Sequence, residues 1–142
     1  MATIKNYTDL EQSKKLAEIL PLESADGFWE YHDKWYSEGD EWEGYEDYPR
    51  AEPYLEYSRK ENEWKEDKSD VPCWSLATLL NVIPKHIKDH NVLRIDIDEN
   101  NTAIWYDEIG HGVNNELPDI TNGSAVDACV DMIIKLHEMN LL

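Results

Sequence analysis

Over residues 124–139 the chain reads SAVDACVDMIIKLHEM, and Ala125, Ala128, Cys129, Met132, Ile133 and Leu136 recur at i, i+3, i+4, i+7, i+8 and i+11. That is the period of an α-helix burying one broad face. Val126, Val130 and Ile134 widen the face until little of it stays polar, so this C-terminal helix is expected to lie at the centre of the fold. Ser124 suits the N-cap, Asp127 favours the positive end of the helix dipole, and Lys135 and His137 favour the other end. Towards the N-terminus, Thr8-Asp9-Leu10-Glu11 reads as a capping box in which Thr8 and Glu11 satisfy each other's amides. Leu10, Leu16, Ala17 and Leu20 follow on one side and Pro21 ends the run, which predicts a helix over about 9–20. A further helix is expected where Leu76, Leu79, Leu80 and Ile83 fall at i, i+3, i+4 and i+7, with Pro72 suited to its start and Pro84 to its end. Residues 92–98 alternate instead, Leu93, Ile95 and Ile97 against Arg94, Asp96 and Asp98, as a half-buried strand does. Glu99-Asn100-Asn101 makes a turn and TAIWY a returning strand, so the two runs predict an antiparallel hairpin. The fold class expected is α+β: a small antiparallel β-sheet packed with about three helices, the C-terminal one central.

Composition changes this picture in one place. Eleven of the fifteen aromatic residues fall between Phe28 and Trp64, where Leu55 is the only large aliphatic. Residues 28–67 carry fourteen acids and five bases, so half of the net charge of −18 comes from forty positions. Gly39, Gly44, Pro49 and Pro53 interrupt any regular period there, which predicts an acidic, aromatic-rich, irregular segment over about 28–70 within a single domain of residues 1–142. Its end, ENEWKEDKSD at 61–70, reads as a charged connector. Its aromatics can pack back over the domain with the acids in water, or stand out as a recognition surface, since Trp and Tyr concentrate at binding hot spots and acids select a basic partner.

The charge excess argues against direct nucleic-acid binding and against an anionic membrane surface, both of which ask for a basic footprint. No stretch has the length of a membrane span or a signal peptide. Cys73 and Cys129 each lie in an apolar run without a Cys-x-x-Cys partner, which reads as core filling in a reducing cytoplasm.

Motifs for chemistry are thin. Asp96-x-Asp98-x-Asn100 opens like a calcium loop, but Asn101 replaces its glycine and Asp107 its closing glutamate. His86 and His90 stand four apart and His111 could complete a zinc set, yet Ile87 sits where a zinc hydrolase carries glutamate. Ser75 lacks a nucleophile elbow, Cys73 lacks a neighbouring base, and no glycine spacing cradles a phosphate. The sequence therefore implies no catalytic residue, no metal and no cofactor.

Three fragments together carry a resemblance: Glu11-Gln12-Ser13-Lys14-Lys15-Leu16 followed by Ala25-Asp26; Pro72-Cys73-Trp74-Ser75-Leu76 with Leu79 and Pro84; and Asp127-Ala128 opening a last helix that ends in Leu141-Leu142. In that order the chain resembles small uncharacterised proteins of Bacteroidetes genomes, prophages and phages. The resemblance implies a mobile-element origin and a bacterial host cytoplasm, and carries over no activity. The function expected is a non-catalytic acidic protein-binding module, an inhibitor or nucleic-acid mimic that acts on a basic protein partner. Its expected surface is Trp35, Tyr36, Asp40, Glu41, Trp42, Glu43, Tyr45, Glu46, Asp47 and Tyr48. A structural or accessory phage protein is the alternative, and a small enzyme or carbohydrate binder ranks behind both.

Overall fold

The computed structural model describes residues 5–37, 40–54 and 69–142, with the backbone alone over 33–37 and 40–42. The chain gathers into two compact units, residues 7–75 and residues 76–142 together with the first six. Among the described residues the architecture is α+β with antiparallel sheets. The charged connector expected at 61–70 falls almost wholly outside the described residues.

The unit of residues 7–75 is built on Trp74, fully buried. Its indole N–H donates to Ser24 Oγ (2.8 Å), its backbone N–H to Thr8 Oγ1 (3.2 Å), and its carbonyl accepts from Thr8 N–H (3.0 Å). A buried aromatic with a polar edge is stable only when that edge is satisfied, and three bonds fix its place. Helix α1 (Leu10–Ala17) packs Leu16 and Ala17 into this core. Its capping box is shifted one residue from the expected one: Asp9 accepts from Gln12 N–H and the Gln12 side chain accepts from Asp9 N–H. Thr8 has no share in the cap, because its hydroxyl is engaged with Ser13 (2.7 Å) and with Trp74.

A 3-10 turn at Leu22–Ser24 leads to β1 (Gly27–Trp29), which pairs antiparallel with β4 (Val71–Cys73). Pro72, read as a helix start, is thus a strand residue opposite Phe28. The pairing tolerates it because Phe28 exchanges both of its backbone hydrogen bonds with Arg50 on the other side, N–H to Arg50 O at 2.9 Å and Arg50 N–H to Phe28 O at 2.7 Å. An antiparallel ladder asks no N–H of the residue opposite. Between these strands β2 (Tyr31–Ser37) and β3 (Asp40–Tyr45) form a second antiparallel pair. The irregular segment expected from residue 28 therefore holds strands over 27–29, 31–37 and 40–45. Glycine and proline there punctuate the hairpin and its exit, and Trp and Tyr favour the pleated surface. Phe28, Tyr31 and Tyr54 are buried with Val71 and Cys73, so part of the aromatic stretch is core.

The second unit centres on helix α3 (Ala125–Glu138), which buries Val126, Ala128, Cys129, Val130, Met132, Ile133 and Leu136. Ser124 caps it by accepting from Asp127 N–H, and Lys5 Nζ donates to Asp127 Oδ1 at 2.6 Å. It ends in a Schellman motif, with Asn140 left-handed (φ 57°), Asn140 N–H on His137 O and Leu141 N–H on Leu136 O, which satisfies carbonyls the last turn would strand. Helix α3 packs on α2 (Leu76–Val82) and on a sheet of β5 (His86–Ile87), β6 (Asn91–Ile97), β7 (Thr102–Glu108), β8 (Gly112–Val113) and β9 (Ile120–Asn122). The order is β5-β6-β7-β8, and β9 pairs with β7 beside β8. The helix lies over β7 and β9, where Thr102, Ile104 and Tyr106 are buried, and the Tyr106 hydroxyl donates to Pro84 O at 2.7 Å. Opposite them on β6, Leu93 is half-buried while Ile95 and Ile97 are 37% and 59% exposed. The alternation of β6 is as expected, but its apolar face runs past the edge of the helix that covers the sheet.

Gly27 has no room for a side chain: a Cβ there would stand 2.5 Å from Arg50 O and 2.9 Å from Cys73 Sγ. Gly27→Ala is expected to cost about 1–3 kcal/mol by forcing the strands apart. Gly123→Ala, whose Cβ would meet only Asn100 O at 3.6 Å, should stay within about 0.5 kcal/mol; urea unfolding of the two variants measures the contrast. A second expectation concerns alkali. Burial pushes both thiols up, with Asp26 adding to the effect at Cys73 and with Cys129 reaching about 11, and burial also raises Tyr106. The folded chain therefore holds these protons more tightly than the unfolded one. Their contribution to stability is whole below the unfolded thiol range, about 8.5, and is lost as pH rises above it towards the folded values. The urea midpoint should fall between about pH 8 and about pH 10.5, and less so in the variant carrying Cys73→Ala and Cys129→Ala.

Candidate functional site

The β2–β3 hairpin holds most of the residues that composition singled out. Its register sets Tyr31 opposite Tyr45 and His32 opposite Gly44, then Trp35 opposite Trp42, Tyr36 opposite Glu41 and Ser37 opposite Asp40. Between the second and third pairs β2 advances three residues while β3 advances two. One extra residue on one strand is a β-bulge, which bends the strand and re-aims its later side chains. Trp35, Tyr36, Asp40, Glu41 and Trp42 thus stand beyond the bulge, gathered by the register towards the hairpin tip.

Below the bulge the two faces of the hairpin differ, because successive strand residues point to opposite sides. On one face Tyr31 and Tyr45 meet edge to face with centroids 5.1 Å apart. The Tyr45 hydroxyl donates to Ser69 O at 3.1 Å, and Lys14 Nζ lies 5.4 Å from the ring centroid. Tyr45 is therefore held into its unit, although the sequence placed it on the recognition surface. Asp70 completes this side by accepting Tyr31 N–H at 2.8 Å.

On the opposite face Glu30, His32 and Glu46 converge. Glu30 immediately precedes β2, His32 lies on it, and Glu46 follows β3 with its N–H on Glu30 O at 3.1 Å. His32 Nε2 stands 3.1 Å from Glu46 Oε1 and 3.6 Å from Glu30 Oε2. Arg50 is delivered to the same place by its backbone exchange with Phe28, Nε being 2.7 Å from Glu30 Oε2 and 3.6 Å from Glu46 Oε2. Glu30, the nearest acid, holds the guanidinium more firmly charged, with Glu46 and Glu52 adding to it. Glu30 Oε2 is nevertheless buried without a hydrogen bond. The Arg50 contact is one of charge alone, its N–H not directed at that oxygen. With the imidazole neutral the cluster carries a net charge of −1, and all three ligand-bearing side chains are half-buried.

Glu43 on β3 and Asp47 in the turn after it are exposed, and Tyr48 is 81% exposed. Of the ten residues expected to form a partner surface, these three present side chains to solvent, Tyr45 and Glu46 are engaged within the unit, and five lie on the backbone-only stretch. Sequence reasoning missed Glu30, His32 and Arg50. The signal was Glu-x-His across a strand start, legible only once the segment is read with a period of two.

The other metal readings do not assemble. Asp98 accepts N–H bonds from Asn100 and Asn101, both 2.8 Å, which close the hairpin turn and lower its pKa. These two bonds organise the tip of β6 and β7. His86, His90 and His111 are all exposed, and among the described residues only Glu30, His32 and Glu46 form a metal-competent group. Among the described residues no helix is long and apolar enough to cross a membrane. No protein-family model, no curated protein and no solved structure matches the chain.

Proposed function

We propose that this chain is a non-catalytic binding module that meets a basic protein through its acidic, aromatic hairpin and the turn after it. The observation that carries the reading is the exposure of three residues on β3 and in the turn after it. Glu43, Asp47 and Tyr48 are exposed beside a strand pair whose register collects two tryptophans, a tyrosine and two further acids. The unit that bears it, residues 7–75, holds twenty acids against eight bases, a net of −12 out of −18. Such a concentration of one sign steers an oppositely charged partner and disfavours others, while the rings supply contact area. A groove that normally receives a polyanion fits this chemistry, so the module acts as an inhibitor or mimic, in keeping with the phage or mobile-element origin that its resemblance to Bacteroidetes phage and prophage proteins implies.

Glu46 is engaged with His32 and Arg50 and is left out of the contact set. Replacing Asp40, Glu41, Glu43 and Asp47 by their amides should weaken the partner isolated from host extract by at least about tenfold, with the far-ultraviolet circular dichroism unchanged. Retention of the parent chain should fall steeply between about 0.05 M and about 0.5 M salt, since exposed charges are screened over that range. A complex indifferent to salt, or one that survives the four substitutions on a folded chain, overturns the reading.

A further inference from the structure

The geometry points to a binding site for a single divalent transition-metal ion of the zinc type, held by Glu30, His32 and Glu46 at the base of the β2–β3 hairpin. One imidazole nitrogen and two carboxylate oxygens are the donor set such ions accept, whereas magnesium and calcium call for oxygen shells of six or more. The spacing fits. Bonds of 2.0–2.2 Å to a tetrahedral ion set donor atoms about 3.3–3.6 Å apart. His32 Nε2 is 3.1 Å from Glu46 Oε1 and 3.6 Å from Glu30 Oε2, and the three donor atoms all fall within 4.8 Å of one another. An ion between them needs only small side-chain rotations.

A second observation is independent of this convergence. Glu30 Oε2 accepts no hydrogen bond, its nearest cation being Arg50 Nε at 2.7 Å in an ion pair. Arg50 is the cation now beside it, yet it supplies one positive charge to two carboxylates, from a side chain 48% exposed. Its anchor is the backbone exchange with Phe28, so the guanidinium can swing to solvent without disturbing β1. A divalent ion would then neutralise both carboxylates, and bond Glu30 Oε2 directly. The donors come from three places, the residue before β2, β2 itself and the residue after β3. The ion would therefore clamp the base of the hairpin, with the fourth coordination position left to water. This goes beyond the partner reading and does not depend on it.

The test is a zinc chloride titration of the full, untagged chain after chelator treatment, read by competition with a chromophoric chelator and by imidazole proton resonances. The expected result is one equivalent bound, with the His32 signals shifting while those of His86, His90, His111 and His137 stay in place. His32→Ala and Glu46→Gln should each weaken binding at least about tenfold, and Arg50→Gln should strengthen it severalfold by removing the competing cation. Circular dichroism of each variant separates lost ligation from lost fold, and the Arg50→Gln gain cannot arise from unfolding. No saturable binding by the parent chain overturns the site. So does binding that shifts the other histidines, or that survives His32→Ala, and so does an Arg50→Gln chain that binds no better than the parent.

Discussion

Everything distinctive about the aromatic unit depends on how closely one backbone passes another at Gly27. The Arg50 carbonyl occupies the space where a Cβ would sit, and this approach lets Phe28 and Arg50 exchange two short hydrogen bonds. That exchange has two effects. Phe28 spends its backbone groups on Arg50, so the facing residue on β4 needs no N–H and can be proline. Arg50 is also delivered to the Glu30 carboxylate, where its charge holds together acids that would otherwise repel. A single methyl group at residue 27 would compete with both.

The acids of this protein serve in two different ways. Asp9, Asp26, Asp70 and Asp98 are spent on backbone and hydroxyl donors: Asp9 at a helix start, Asp26 accepting Ser75 N–H at 2.8 Å, Asp70 on Tyr31 N–H, Asp98 in a turn. These carboxylates replace water with fixed donors, which organises loops that have little aliphatic core of their own. Glu43 and Asp47 remain at the surface, and the charge excess they belong to is the source of any attraction for a basic partner.

The two units reach stability by different routes. Helix α3 buries seven apolar side chains in packing on α2, β7 and β9 and closes both of its ends with hydrogen bonds, an arrangement in which burial dominates. The unit of residues 7–75 has fewer aliphatics and relies on large rings whose polar edges are matched, Trp74 with Ser24 and Tyr54 with the Asp70 carbonyl. Matched polar edges add direction to burial, since each ring satisfies its bond in one orientation only. That requirement explains how residues 27–29, 31–37 and 40–45, which hold no large aliphatic, can form strands.

Periodicity legible along the chain determined the elements that satisfy themselves locally. The C-terminal helix with its Ser124 cap, the helix after Ser75, the hairpin of β6 and β7 and the α+β class were all readable there, because an amphipathic repeat commits an element before its neighbours are known. The first helix was readable to within one residue; its cap moved to Asp9 because Thr8 is claimed by Trp74, sixty-six positions away. Only the tertiary structure decided the rest. Residues 27–29, 31–37 and 40–45 become strands through pairings that their broken pattern conceals. Ile95 and Ile97 stay exposed because α3 ends its cover at β7 and β9. Glu30, His32, Glu46 and Arg50 come together through a register, a bulge and the missing side chain of Gly27, and a convergence spread over twenty residues leaves no mark on any local period.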